Sequence, residues 1–270
     1  MTADEHSELR ERIAVACRIM AVTGLVENIL GHISARISPE ELLIRCRGPR
    51  EAGLAYTTAE DVRAVPLRGT AASGATGEWR PPNELPIHTA VLRARPETTV
   101  VVHAHPPAVV AFSLLDRPLE PIYGAYDIPG SRLAADGVPV WPRSALINSD
   151  APAGEMLGAM GERPAVILRG HGVVTAASGP PHLAVAEAVL TALAVDALAR
   201  HSLTVLQSGG TPRPIGAEDL AALPDLGGGF NVEVLWRHLE RRLRDAQGGR
   251  AGAGGDAPDA EVGELSVTRS

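Results

Sequence analysis

The run at residues 98–106, TTVVVHAHP, constrains this chain more than any other stretch. Its apolar, β-branched residues read as a strand buried on both faces, which places it in a sheet at the centre of a domain rather than at a surface. The same run carries two imidazoles, His103 and His105. Side chains at i and i+2 of a strand share a face about 7 Å apart, so both rings can converge on one metal ion. A pair of core histidines, each bonded to a backbone carbonyl, is the other reading of that spacing.

A second apolar stretch, PAVILRGHGVVTAA at 164–177, reads as another buried strand. His171 lies in its RGHG, between glycines that permit close backbone approach, a setting that suits a third ligand from a neighbouring strand. Glu84 opens a helix predicted over 83–95, behind the cap region Pro81-Pro82-Asn83. An acidic residue there either complements the helix dipole or serves a site.

The remaining pattern gives a helix over 5–23 that Gly24 ends, then short strands at 31–37, 41–47 and 62–69 between Pro and Gly punctuation. A short helix follows at 106–115, then strand and loop to 147, a long amphipathic helix at 182–208 and a last helix at 229–246. The order is mixed rather than a regular β-α-β alternation. It predicts one α/β domain over 1–247, with helices flanking a central antiparallel or mixed sheet. From Gly248 to Ser270 the sequence is small, polar and aperiodic, and it reads as a disordered tail.

Composition removes whole chemistries. All 25 basic residues are Arg, so Schiff-base aldolase, pyridoxal-phosphate and Walker A chemistry, which need a lysine amine, are excluded. Two cysteines, Cys17 and Cys46, are too few for a disulfide framework or a zinc–cysteine cluster and read as core thiols. The net charge of −7 argues against a nucleic-acid partner. No apolar run is read as reaching the roughly 18 to 20 residues of a membrane span, and MTADEHSELRER is too polar for a signal peptide. A cytoplasmic protein without a membrane partner is the expectation.

Together Glu84, the His103-x-His105 strand and the Gly-His171-Gly turn resemble the class II aldolase/adducin family. GLVxxxxGHISAR at 24–36 and TxEDV at 58–62 extend the resemblance, which covers about residues 8–240. It implies a three-layer α/β/α fold, commonly a homotetramer with active sites between subunits. It also implies a divalent metal on His103, His105 and His171, with Glu84 as acid/base or fourth ligand. Burial of Glu84 would raise its pKa if it is not bound to the metal.

The departures bear on substrate. Sugar-phosphate aldolases of the family hold phosphate through a G-N-I-S motif, a T-x-S/T-G loop and a Ser-Ser pair. Here these positions read Gly31-His32-Ile33-Ser34, Arg45-Cys46-Arg47-Gly48 and Pro82-Asn83-Glu84. Arg45, Arg47 and Arg50 form a guanidinium cluster that either clamps a carboxylate or is a solvated turn. His32 is a candidate pocket residue. Tyr123 and Tyr126 fall roughly where aldolases present a tyrosine from the next subunit, Tyr126 as proton donor and Tyr123 as a substrate contact. His88, one turn after Glu84, either faces the same site or is exposed.

GHISARI, IRCRGPREAGL and GAYDIPGSRLAADGVPVWPRS are similar to the family's aromatic-acid branch. That branch implies cleavage of a C–C bond beside a carboxylate in a hydroxyaryl acid. The favoured expectation is an oxygenase of aminocoumarin antibiotic biosynthesis that uses non-haem Fe(II) and O2 on a prenylated 4-hydroxyphenylpyruvate. The alternatives are a non-oxidative decarboxylase of a dihydroxyphthalate-like acid, or a Zn(II)-dependent aldolase for a non-phosphorylated oxo acid.

Overall fold

The computed structural model describes residues 3–68 and 76–252. Seven strands form one sheet in the order β3-β2-β1-β4-β7-β6-β5. They are β1 (His32–Arg36), β2 (Glu41–Arg45), β3 (Val62–Pro66), β4 (Thr98–Ala104), β5 (Val140–Trp141), β6 (Ala165–Leu168) and β7 (Gly172–Ser178). Every pairing is antiparallel except β5 with β6, so the sheet is mixed as expected.

Eight α-helices complete the described chain: α1 (Ala3–Val22), α2 (Leu85–Ala94), α3 (Pro107–Ser113), α4 (Ile128–Leu133), α5 (Asp150–Met160), α6 (Pro181–Gln207), α7 (Ala217–Ala222) and α8 (Leu235–Gly252). One face of the sheet buries Ile33, Val100, Val102 and Val173 beneath α1 and α6. The other buries Val101, Val174 and Ala176 beneath Ile87 and Val91 of α2 and Met156 and Met160 of α5. This is the three-layer α/β/α arrangement. Each buried aliphatic side chain contributes about 1.5–3 kcal/mol relative to exposure, so β4, apolar on both faces, is central to the sandwich.

Two expectations change in detail. Residues 164–177 are a hairpin, not one strand: the chain turns at Arg169–His171, where Gly170 adopts φ +60, the left-handed region that favours glycine. The last helix extends through Gly252, past the expected domain end, and residues 253–270 of the expected tail lie outside the described residues.

Among the described residues one helix, α6, is long and apolar enough by composition to cross a membrane, contrary to expectation. It is apolar as the core helix of the sandwich, mostly buried and packed against β7, β4 and α3. Helices α4, α5 and α7 lie in stretches for which the pattern predicted none.

Candidate metal centre

One end of the sheet collects the chemistry. Antiparallel pairing sets His32, at the start of β1, directly opposite His103, near the end of β4. β4 ends at Ala104, one residue before His105, and the Pro106-Pro107 pair then opens α3, because neither proline can donate to a ladder and the residue before each is held extended. The β6–β7 turn brings His171 alongside. Gly172 makes this possible, since a Cβ there would collide with the Ala104 carbonyl and lie 2.9 Å from the His105 ring. Gly172 thus provides the close approach that the sequence predicts, while Gly170 serves the turn through its positive φ.

Glu84 completes the group. It holds the N-cap position of α2 yet makes no capping bond to its own helix. Its carboxylate instead accepts from the Ile147 backbone N–H at 3.1 Å and lies 3.4 Å from His103 Nε2 and 3.5 Å from His171 Nε2. One donor atom from each of Glu84, His103, His105 and His171 falls within 4.8 Å of every other. Glu84 and His103 are buried, the other two half-buried.

This donor set fits a divalent ion. His103 Nδ1 donates to the Val173 carbonyl at 3.0 Å, which fixes the ring with Nε2 directed into the cluster as the atom that would bind an ion. His103 Nε2 and His105 Nε2 lie 2.7 Å apart, directed at one point of convergence. Three imidazoles and a carboxylate match zinc- and iron-type coordination equally.

The electrostatics correct one expectation. Burial acts to raise the Glu84 carboxyl, but hydrogen bonds and charge from His103 and His171 outweigh it and hold the group well below the usual carboxylate range. Glu84 is therefore ionised, ready as a ligand or proton acceptor rather than a resting acid. Burial, reinforced by His103 and His171, lowers His105 to about 3, so its imidazole is neutral and able to ligate.

Beside the cluster lies a pocket of about 290 Å³ lined by His32, Arg45, Arg47, Asn83, Glu84, His105 and His171, with Ile29, Leu30 and Leu146 at its apolar wall. The arginines divide. Arg45 is buried and already paired with Glu51, whose carboxylate also accepts from the Gly53 N–H, so that charge is neutralised within the loop. Arg47 is half-buried and its guanidinium has no side-chain partner among the described residues. Arg50 is exposed and lies outside the pocket lining.

Tyr123 and Tyr126 are not brought to this pocket within the protomer. They pack against each other and against His201, with ring centroids 5.1–5.4 Å apart, and Tyr126 is 71% exposed. His88, by contrast, is fully buried behind His32 rather than on a helix surface. Sequence reading passed over Ser34, Glu51 and the Ile147 amide. Ser34 alone carried a signal, sitting two residues after His32 on the same face of β1. Cys17 and Cys46 are buried thiols pushed up to about 12 by burial, consistent with a purely structural place in the core.

The profile of the class II aldolase and adducin N-terminal domain matches residues 11–203. The chain belongs to this family. Among solved structures, an aldolase II superfamily protein from Pseudomonas syringae superposes with a TM-score of 0.74 at 23% identity, covering 91% of this chain and 96% of that one. L-fuculose-1-phosphate aldolase from Thermus thermophilus matches with a TM-score of 0.61 at 27% identity, over 76% of this chain and 98% of that one. Far greater sequence similarity links the chain to proteins named 3,4-dihydroxyphthalate decarboxylase. The protein from Terrabacter sp. (strain DBF63) is 55% identical, over 87% of this chain and 96% of its own length. That from Arthrobacter keyseri is 53% identical, over 89% and 96%. The family's divalent-metal use agrees with the four-donor cluster.

These relatives redirect one expectation. The similarity favours the decarboxylase alternative over the oxygenase of prenylated 4-hydroxyphenylpyruvate, and neither oxygen chemistry nor antibiotic biosynthesis finds support.

Proposed function

We propose that this chain is a divalent-metal-dependent, non-oxidative decarboxylase of a 3,4-dihydroxyphthalate-type aromatic diacid. The observation that carries the reading is that the four-donor cluster and Arg47, unpaired among the described residues, line the same pocket. Identity of 50–55% to three decarboxylases of that diacid supports the substrate class.

Arg47 binds the carboxylate that is retained, through paired charge-assisted bonds. The carboxylate to be lost lies next to a ring hydroxyl and faces His103, His105 and His171. A bound divalent ion would supply Lewis-acid stabilisation to oxygens of that group. When the C–C bond breaks, its electron pair stays on the ring carbon, which takes up a proton as carbon dioxide leaves. Ionised Glu84 accepts the hydroxyl proton and is placed to return it towards the ring. Ile29, Leu30 and Leu146 exclude water from the ring's flank, and the wall lacks the hydroxyl and amide donors of a phosphate cradle.

No redox change occurs in this reaction, so the ground for preferring Fe(II) disappears and Zn(II) serves as well. A homotetramer is the expected assembly, in which exposed Tyr126 is free to approach another subunit's pocket, whereas the Tyr123 hydroxyl is buried within its own protomer. The test is incubation with 3,4-dihydroxyphthalate under anaerobic conditions. Stoichiometric carbon dioxide and 3,4-dihydroxybenzoate support the reading; no turnover, or turnover that requires O2, overturns it.

A further inference from the structure

A buried chain of hydrogen bonds leads away from the pocket and is unused by the metal cluster. Ser34 Oγ lies 2.7 Å from His88 Nδ1, and His88 Nε2 lies 2.7 Å from His32 Nδ1. His32 Nε2 then lies at the pocket, 4.0 Å from Glu84 Oε2, beyond hydrogen-bond reach. Ser34 and His88 are completely buried and His32 nearly so.

Such a chain can run in either direction, because each imidazole can carry its proton on either nitrogen. The buried hydroxyl decides. His88 Nδ1 is the only hydrogen-bond partner of the Ser34 side chain among the described residues. If His88 Nδ1 carried the proton and donated to Ser34, the hydroxyl hydrogen would be left in the core with no acceptor, which costs about 1–3 kcal/mol. With Ser34 donating to Nδ1, no donor is orphaned. His88 must then carry its proton on Nε2 and donate to His32 Nδ1. His32 in turn must carry its proton on Nε2, directed into the pocket.

Resting on the proposed decarboxylase activity, we infer that Ser34 and His88 are positioning residues that lock His32 as a neutral N–H donor towards the substrate oxygen beside the bond that breaks. A neutral donor there stabilises the negative charge on the ring oxygen when its proton passes to Glu84, and again as the C–C electron pair returns to the ring with the loss of carbon dioxide, without placing a second cation beside the metal. The arrangement selects for acids with an oxygen substituent next to the departing carboxylate, since only these give His32 an acceptor.

The experiment is nitrogen NMR of ¹⁵N-histidine protein loaded with Zn(II), which distinguishes protonated from bare ring nitrogens. Wild type and Ser34→Thr should show His32 and His88 protonated on Nε2. Ser34→Ala, which removes only the hydroxyl, should show a tautomer mixture. On the dihydroxyphthalate, Ser34→Ala should lower kcat by about 10-fold, the scale of a lost outer-shell partner, with KM within about twofold and metal content unchanged. Ser34→Thr and His88→Gln, whose amide can still donate to His32, should recover most of that kcat. His32 protonated on Nδ1 in wild type overturns the inference, as does Ser34→Ala matching Ser34→Thr in both tautomer and kcat. The nitrogen spectra are read whether or not the diacid is turned over, so failure of the functional reading and failure of this inference leave different records.

Discussion

His88 offers a quantitative check on the core behind the pocket. Burial first, then the charge of His103, lowers its pKa to about 3, against 6.5 in an open chain. Between those values the unfolded chain binds a proton that the folded chain does not. The contribution to stability is therefore complete above about pH 6.5 and is lost progressively as the pH falls towards 3. Each unit of difference is about 1.4 kcal/mol, so bringing the pH from 7 to 5 should remove about 2 kcal/mol through this one side chain. His88→Gln keeps a polar group of similar reach but has nothing to titrate. Urea unfolding of wild type and variant at pH 7 and pH 5, both with chelator, reads the term as the difference between the two proteins, since only the wild type carries an imidazole at this position. Wild type should lose about 2 kcal/mol more than His88→Gln between the two pH values. Equal losses would show that His88 is not held neutral in the fold, and the argument for its place in the hydrogen-bonded chain would fall with it.

Removing a ligand should act on metal and activity together: His103→Ala should fall well below one ion per chain by elemental analysis and lose decarboxylation. Arg47→Ala should raise KM for the diacid by about 10- to 100-fold, the worth of charge-assisted bonds, while leaving metal content intact. Arg47→Lys should recover little, since a point charge lacks the paired donors. Gly172→Ala drives a methyl into the Ala104 carbonyl and the His105 ring, and should cost about 1–3 kcal/mol in urea unfolding together with weakened metal binding.

The sequence made the layers and the ligands legible because both follow from short-range rules. A β-branched run buried on both faces requires covering layers, and i, i+2 spacing fixes which imidazoles share a face. The hairpin at 164–177 was hidden because two apolar arms of a tight turn look like one run unless the turn is recognised, and Gly170 was read for close approach rather than for its φ. The direction of the Glu84 pKa was misjudged for a related reason. Burial alone raises a carboxyl, and only the three-dimensional placement of His103 and His171 reverses the sign. Arg45 and Arg47 look equivalent in RCRGPRE, yet Glu51 neutralises one of them through a contact six residues away that periodicity does not encode. Helix α5 went unseen because its apolar face meets α2, a partner distant in sequence.

The metal end of the sheet is made of groups that weaken the fold individually. Glu84 holds the N-cap position of α2 without making a capping bond. Imidazoles crowd together where burial resists their protonation, and the His171 Nδ1 atom is buried with no partner. A bound ion would offset these costs together, since it binds the folded chain alone and adds stability of RT ln(1 + [M]/Kd), about 4 kcal/mol at a thousandfold excess over Kd. Substrate recognition is separated from that ledger. On the proposed function it lies on β1, the end of β2 and the following loop, where His32 and Arg47 stand apart from the four metal donors. On that reading the four-donor scaffold serves an aromatic diacid by exchanging one side of the pocket, with Ser34 and His88, buried beneath it, setting what His32 presents.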